Sequence, residues 1–237
     1  MCPNSMIFMN SNCRYRVLSY PINAATPMYG TAPGPVLENY RRIADKDQSN
    51  SYIISVHNHT GTHIDAPKHF ADDGKSISDY HVGELIFNNP IIIDCPKTGA
   101  TLITPDDLQP VLNQLQVIDC LLLHTGYGQF RNKEKYRTHN PGIAPETILR
   151  IREDYPNIRC VGIDCISISS FQHRSEGWEA HRAAFIEGVG FGEPLLLIED
   201  MKLDAVSGEN IEKMFIIPWQ IEGIDSSPCK IIAVIKN

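Results

Sequence analysis

The chain has 237 residues, of which 42% are hydrophobic and 21% charged, a composition typical of a folded domain with a substantial core. Its 21 Lys and Arg residues against 28 Asp and Glu residues give a net charge of −7 with no basic cluster, which argues against a nucleic-acid partner. No apolar run reaches the roughly 18 residues of a membrane span, so we expect no membrane partner either.

The N-terminal segment and the cysteines indicate a compartment. Residues 1–16 lack the basic and apolar regions of a signal peptide. The seven cysteines include no C-x-x-C pair, and most lie inside apolar runs, which is typical of buried, reduced thiols. The sequence therefore predicts a cytoplasmic protein.

Strand-like and helical patterns alternate along most of the chain. The first forty residues are rich in Pro and Gly and are predicted to be mainly loop. Predicted strands follow at residues 52–56, 90–95, 117–126, 160–168 and 194–200, with a final pair at 214–220 and 230–237 around the turn GIDSSP. Predicted helices cover 104–115, 144–155 and 177–188. Apolar strands separated by helices predict one mixed α/β domain spanning residues 1–237.

The segment HNHTGTHIDAPKHF, residues 57–70, holds four of the nine histidines and one aspartate. In an extended chain His59, His63 and Asp65 share a face, and Gly61 on that face leaves room for an ion. His63 and Asp65 would lie about 6.6 Å apart. His59 and His63 would be about 13 Å apart, so we expect a bend at Gly61. A helix would also align the two histidines, but the Gly, Thr and Pro content disfavours one.

This donor set predicts a catalytic metal site. Imidazole and carboxylate ligands suit Zn²⁺, Mn²⁺ or Fe²⁺ better than Ca²⁺ or Mg²⁺, and we favour Zn²⁺ with Mn²⁺ second. Three protein ligands leave positions open for water and substrate. His69 is either a further ligand or a free imidazole that carries protons near neutral pH. His57 is interpreted as structural, and His124 as a core histidine bonded to backbone.

One segment rarely completes a metal site, so more distant ligands are expected. His181 lies in the predicted helix 177–188, on a side that includes the apolar Trp178. Glu199 ends the apolar strand 194–200, and strand ends are common positions for ligands. A surface histidine and a solvated acid are the alternatives at these two positions.

Residues 59–69, H-T-G-T-H-I-D-A-P-K-H, resemble the H-x-G-T-H-x-D-x-P-x-H signature of the cyclase family of metal-dependent hydrolases. That family includes bacterial kynurenine formamidases and isatin hydrolases. Further segments resemble the family along nearly the whole chain: PINAATPMYG, GKSISDYHVGELIFNNPIIID, LLLHTGYGQF, NPGI, VGIDCISIS and IEGIDSSPCKIIAVI. The resemblance implies a single mixed-sheet domain of the swivelling β/β/α type, assembled as a homodimer or homotetramer.

The resemblance also implies roles for individual residues. It makes His59, His63 and Asp65 ligands, with Asp65 bridging where two ions bind. His181 and a later glutamate would complete the second site. His69 would be the catalytic base.

The position of that glutamate is where this chain departs from the family pattern. The usual interval of about a dozen residues points to Glu193, whereas the surrounding pattern, an apolar strand followed by Glu-Asn-Leu, points to Glu199. We prefer Glu199, with an insertion of about VGFGEP before it, because a ligand needs a fixed strand-end backbone. Asp200 stands where the family usually has Asn.

The implied activity is hydrolysis of an amide-type bond in a small molecule. An aryl formamide such as N-formylkynurenine is the first substrate expected, and a cyclic amide such as isatin the second. One alternative is a non-haem Fe(II) oxygenase with His63, Asp65 and His181 as its facial triad. Another is a metal-binding protein without activity. The aromatic residues considered for the pocket are Tyr29, Phe70, Tyr80, Tyr127 and Phe171.

Overall fold

The structure, a computed structural model, describes residues 14–186, 188 and 192–236. Its strands are β1 Arg14–Val17, β2 Val36–Arg41, β3 Ser51–Ser55, β4 His63–Asp65, β5 Ile86–Phe87, β6 Pro90–Asp94, β7 Leu102–Ile103, β8 Cys120–His124, β9 Gly142–Ile143, β10 Cys160–Ile163, β11 Leu196–Glu199, β12 Ile211–Pro218 and β13 Ser226–Ile235. Its α-helices are α1 Leu112–Leu115, α2 Glu134–Thr138, α3 Pro145–Asp154 and α4 Arg174–Phe185. Among the described residues, no helix is long and apolar enough to cross a membrane.

One mixed sheet organises the described part of the chain. Its nine strands follow the order β5-β12-β13-β4-β11-β10-β8-β6, with β1 paired to β13. Strands β6, β8, β10 and β11 run parallel, and β4 lies antiparallel between β11 and β13. The two ends of the sheet approach one another, since β12 contacts β6. The predicted mixed α/β class with a single large sheet is confirmed.

Both faces of the central strands are buried. In β8, Leu121 and Leu123 pack into a core that includes Phe185 of α4. Leu122 of the same strand packs on the opposite face, in a core that includes Met214. This two-sided burial explains why these strands are continuous apolar runs rather than alternating patterns.

The described cysteines lie in these cores. Cys95, Cys120, Cys160, Cys165 and Cys229 are buried and form no disulfide with one another. Cys2 and Cys13 lie outside the described residues. The cytoplasmic location stays a prediction.

The predicted helix 104–115 is only partly α-helical. It begins with a 3-10 helix, Pro105–Val111, and continues as α1. Pro110 lacks an N–H group, and its ring clashes with the preceding turn of an α-helix, so it disfavours a continuous α-helix through this segment. The predicted start is correct, since the backbone N–H and the hydroxyl of Thr104 both donate to Asp107.

The predicted strand 52–56 forms outside the main sheet. It is β3, and it pairs with β2 in a two-stranded hairpin. Nearly all residues of the two strands are exposed. The apolar residues of these strands suggested that the strands would be buried, but no other described part of the chain covers them.

His124 has carboxylate partners rather than the predicted backbone partner. Its Nδ1 lies 2.6 Å from Asp94 Oδ1, and its Nε2 lies 3.0 Å from Asp204 Oδ1. Burial lowers the pKa of His124, but hydrogen bonds to Asp94 and Asp204 outweigh burial and raise that pKa overall. The imidazole therefore links the carboxyl end of β6 to the segment that contains Asp204.

Replacing Gly162 with Ala tests how closely the strands pack. A Cβ atom at Gly162 would lie 2.8 Å from Leu122 Cδ2 and would also clash with Met201 Sδ. We expect Gly162→Ala to lower the free energy of unfolding by about 1–3 kcal/mol, measured by urea denaturation. Gly83→Ala is the control, because a Cβ at Gly83 meets nothing within 4 Å. Equal stability of the two variants would contradict the described packing.

Candidate metal centre

The register of β4 brings the predicted ligands together. His63 lies opposite Glu199 of β11, and Asp65 lies opposite Leu197. Directly opposite residues, and residues two apart on one strand, share a face of a sheet. The side chains of His63, Asp65 and Glu199 therefore lie on the face that α4 covers, where Leu197 packs in the same core as Phe185.

Gly61 supplies the bend that was predicted before β4. Its φ of 65° is in the left-handed region that favours glycine. The bend places His59 Nδ1 3.0 Å from Asp65 Oδ1. The Gly61 carbonyl also accepts a 2.8 Å hydrogen bond from His63 Nδ1, which leaves His63 Nε2 available to a ligand.

Helix α4 contributes His181 from the far side of the cluster. His181 Nδ1 donates to the Gly177 carbonyl at 2.8 Å, and its Nε2 lies 3.4 Å from Glu199 Oε1. A Cβ at Gly177 would collide with Ser169, so glycine permits the close approach of α4 to that loop. Trp178, expected on the apolar side, is 60% exposed instead, because it lies on the part of α4 that the core leaves open.

The structure places Glu199, and not Glu193, in the cluster. Glu199 Oε1 accepts hydrogen bonds from the Ser167 hydroxyl and the Ile168 N–H at 2.9 and 2.7 Å. Its Oε2 lies 3.4 Å from His63 Nε2. Glu193 is exposed and lines a separate surface pocket. Residues 189–191 of the predicted insertion lie outside the described residues.

The donor atoms fit a divalent cation. Within the described residues, His63 Nε2 and both Asp65 carboxylate oxygens are buried without a contact of good hydrogen-bond geometry, although His59 Nδ1 lies 3.0 Å from Asp65 Oδ1. Buried polar atoms left in this way are costly unless something else binds them. The donor atoms form two groups of three, and within each group all three atoms lie within 4.8 Å of one another. One group is His59, Asp65 and His69, and the other is His63, Asp65 and Glu199. Asp65 belongs to both groups, which is compatible with one ion or with two ions sharing this carboxylate.

The electrostatics of the cluster favour positive charge. Burial raises the pKa of Asp65, but the charges of His59 and His63 outweigh burial and lower that pKa well below its usual range. Burial raises the pKa of Glu199, but the imidazoles of His181 and His63, each 3.4 Å from one of its oxygens, outweigh burial and lower that pKa to about 2. Burial lowers the pKa of His59, but Asp65 and then Asp225 raise it to about 10. A bound cation would replace the protons that these imidazoles hold.

Asp225 is part of the site and was not predicted. Its Oδ2 lies 2.7 Å from His69 Nδ1 and 3.0 Å from His59 Nε2. Its Oδ1 accepts a 2.7 Å hydrogen bond from Asn58 Nδ2. The residue falls in GIDSSP, which was interpreted as a turn, but β13 already begins at Ser226. No local signal identified it, because the predicted strand began only at residue 230, five residues further along the chain.

Asp200 anchors the backbone just after Glu199. Its φ of 51° is a conformation that Asp and Asn tolerate better than most residues. Its carboxylate accepts hydrogen bonds from Arg131 Nε at 2.8 Å, Arg131 Nη2 at 2.6 Å and the Tyr136 hydroxyl at 2.6 Å. Its carbonyl accepts from the Thr62 hydroxyl. The Asp200 side chain thus pairs with the Arg131 guanidinium, and its backbone carbonyl ties the end of β11 to the residue before β4.

A cavity of about 380 Å³ opens onto the cluster, within the size range of small-molecule sites. Tyr29, Phe70 and Trp178 contribute its aromatic walls, together with His57 and His69. Two of the other aromatic residues considered lie elsewhere in the described structure: Tyr80 lines the surface pocket of Glu193, and Tyr127 is buried in the core. Phe171 packs edge-on against Tyr29, with ring centroids 5.8 Å apart.

Comparisons with known proteins identify the family. The family model for the putative cyclases matches residues 17–170. The chain is 28% identical to a kynurenine formamidase of Bacillus cytotoxicus over 219 residues, which are 91% of this chain and 94% of that protein. It is 34% identical to an uncharacterised protein of Haemophilus influenzae over 116 residues, 48% of this chain and 82% of that protein.

Solved structures share the fold. Isatin hydrolase A from Labrenzia aggregata, bound to benzyl benzoate, superposes with a TM-score of 0.80 at 21% identity, covering 95% of each chain. A potential metal-dependent hydrolase with cyclase activity superposes with a TM-score of 0.72 at 23% identity, covering 95% of this chain and 99% of that one.

Substitution of the two glutamates distinguishes the alternatives left by the sequence. We expect Glu199→Gln to weaken Zn²⁺ binding at least about tenfold, because a buried anionic donor in the cluster is lost. Isothermal titration calorimetry of the metal-stripped protein with Zn²⁺ measures the change. Glu193→Gln is the matched control and should bind Zn²⁺ as the unmodified protein does. The reverse pattern would place the distal ligand at Glu193.

Proposed function

The chain belongs to the cyclase family, and from this membership we propose that it is a metal-dependent hydrolase that cleaves an amide-type bond in a small molecule. The observation that carries the proposal is the buried donor cluster at the base of the aromatic-walled cavity, in which His63 Nε2 and the Asp65 oxygens have no contact of good hydrogen-bond geometry among the described residues. The similarity to a kynurenine formamidase along 91% of the chain supports the same chemistry.

His59, His63, Asp65, His181 and Glu199 are the proposed metal-holding residues, with Zn²⁺ preferred and Mn²⁺ second. A divalent ion held there supplies a Lewis acid that makes a water acidic near neutral pH and polarises a carbonyl. The Glu199 side chain is fixed in place for this role, because the Ser167 hydroxyl and the Ile168 N–H both donate hydrogen bonds to its Oε1. The cavity wall formed by Tyr29, Phe70 and Trp178 shields the scissile bond and receives an aromatic group.

His69 is the proposed general base. Its Nδ1 donates to Asp225 at 2.7 Å, so Nε2 carries the lone pair that accepts a proton. Nε2 takes the proton of the attacking water as the oxygen bonds to the carbonyl carbon. The same atom then delivers that proton to the leaving nitrogen as the C–N bond breaks. Asp225 acts as a positioning residue that holds the imidazole in this tautomer.

The proposed substrate is an aryl formamide such as N-formylkynurenine. An aromatic ring fits against Tyr29 and Phe70, and a formyl group is small enough to reach the donor cluster at the base of the cavity. A cyclic amide such as isatin is the second candidate, which the similarity of fold to an isatin hydrolase favours.

The activity itself is tested with purified protein of measured metal content. We expect hydrolysis of N-formylkynurenine, loss of activity after chelation, and recovery on adding Zn²⁺ or Mn²⁺. Isatin is assayed in parallel. Oxygen consumption with Fe(II) and 2-oxoglutarate tests the oxygenase alternative. Absence of both bound metal and metal-stimulated hydrolysis would reject the proposal in favour of a protein without this activity.

Substitution of His69 separates a base from a ligand, because His69 also belongs to one three-donor group. We expect His69→Asn to lower kcat by about 10²–10⁴-fold with the metal content unchanged. Asp225→Asn should lower kcat less, by about 10- to 100-fold, since the imidazole remains but loses its anionic partner. The exposed His139→Asn is the control. Loss of metal in His69→Asn would make His69 a ligand, and an unchanged kcat would remove it from the mechanism.

A further inference from the structure

One face of α4 extends from the core to the mouth of the cavity at the metal centre. Positions three and four apart on a helix share a face. One such face is formed by Arg174, Trp178, His181 and Phe185. Phe185 packs in the core, His181 belongs to the donor cluster, and Trp178 lines the cavity wall. Arg174 is the next position outward, about 10.5 Å along the helix axis from His181, and it is exposed.

Phe171 holds the Arg174 guanidinium beside the cavity wall. The Cζ atom of Arg174 lies 4.1 Å from the centroid of the Phe171 ring, a cation–π contact. Phe171 in turn packs edge-on against Tyr29, which lines the cavity. The charge of Arg174 also acts on this wall. Burial and then Glu199 raise the pKa of Tyr29 to about 12, and the Arg174 charge opposes them.

The Arg174 guanidinium makes no ion pair in the part of the chain that the structure describes. Glu176, the nearest acid in the helix, accepts a 2.7 Å hydrogen bond from the Ser175 hydroxyl and lies 4.0 Å from His173 Nδ1 instead. Among the described residues that line the cavity, Glu199 is the only acid. Helix stability does not explain a cation in the first turn, since the positive end of the helix dipole lies there. An external anion is the partner that this position favours.

We propose that Arg174 is a specificity-determining residue that selects substrates whose aromatic ring carries a carboxylate-bearing substituent. This inference rests on the proposed hydrolase activity and narrows its substrate class. With the formamide at the donor cluster and the ring against Tyr29 and Phe70, the substituent extends toward the mouth of the cavity. Stacking on Phe171 leaves the N–H groups in the plane of the guanidinium free to donate two parallel hydrogen bonds to the carboxylate. An uncharged cyclic amide such as isatin gains no such contact.

The affinities of two ligands that differ only in the amino-acid group test the proposal. Kynurenine carries a carboxylate, and 2-aminoacetophenone has the same ring and ketone without it. We expect the unmodified, Zn²⁺-loaded protein to bind kynurenine at least about tenfold more tightly, measured by isothermal titration calorimetry. Arg174→Gln should remove this difference. Arg174→Lys should keep part of it, because lysine retains the charge but lacks the planar fork.

Arg182→Gln is the matched control. Arg182 is exposed on the same helix and lies 4.0 Å from Glu179, away from the residues that line the cavity. This variant should keep the full preference for kynurenine. Circular dichroism of each variant shows whether it is folded.

Hydrolysis provides a second measurement. N-formylkynurenine is compared with 2-formamidoacetophenone, which lacks the amino-acid group. We expect Arg174→Gln to lower the ratio of the two kcat/KM values by about tenfold to a hundredfold, mainly through a higher KM for N-formylkynurenine, since the contact is made equally in the ground state and the transition state.

Equal affinity of the unmodified protein for kynurenine and 2-aminoacetophenone would overturn the proposal, as would a preference that Arg174→Gln retains. An unchanged ratio of kcat/KM values in Arg174→Gln would also overturn it. A preference for kynurenine that Arg174→Gln abolishes, in a protein that hydrolyses neither formamide, would support the role of Arg174 and reject the proposed activity.

Discussion

Two buried carboxylates, Asp65 and Glu199, lie on one face of adjacent strands, and the structure around them depends on neutralising their charge. Transferring one ionised carboxylate from water into a protein interior is costly, and two of like charge repel one another. The histidines beside them supply the compensation, since His59, His63 and His181 have raised pKa values next to these oxygens. The face of the sheet that holds the site is thus stable only when positive charge lies between β4, β11 and α4.

The residues behind the donors explain how the geometry is maintained. Backbone carbonyls of Gly61 and Gly177 orient His63 and His181 through their Nδ1 atoms. Gly61 is required for its positive φ, and Gly177 because a Cβ atom there would collide with Ser169. Asp225 orients His59 and His69 from the opposite side. Each imidazole that faces the cluster therefore has one nitrogen bound to the protein, which is the usual way in which a fold fixes the direction of the other.

The donor residues could be predicted from the sequence because periodicity and residue chemistry act locally. The bend at Gly61 followed from the length of an extended segment, and Glu199 followed from its place at the end of a buried strand. Asp225 could not be predicted in this way, since Asp is frequent in turns and its contact with His69 links positions 156 residues apart. The exposure of β3 was missed for a related reason. An apolar strand shows that burial is needed, but its residues do not show whether the same chain supplies it.

The position of β4 between β11 and β13 has a consequence for biosynthesis. The strand that carries His63 and Asp65 can complete its hydrogen bonding only after the last strand of the chain has been made. During translation the ligand segment therefore has no sheet partner until β11 is made, and one of its edges stays unpaired until β13 follows. Such distant pairings give a high contact order and slow folding. The interval before β13 leaves the ribosome is therefore the period in which the nascent domain is most exposed to misfolding.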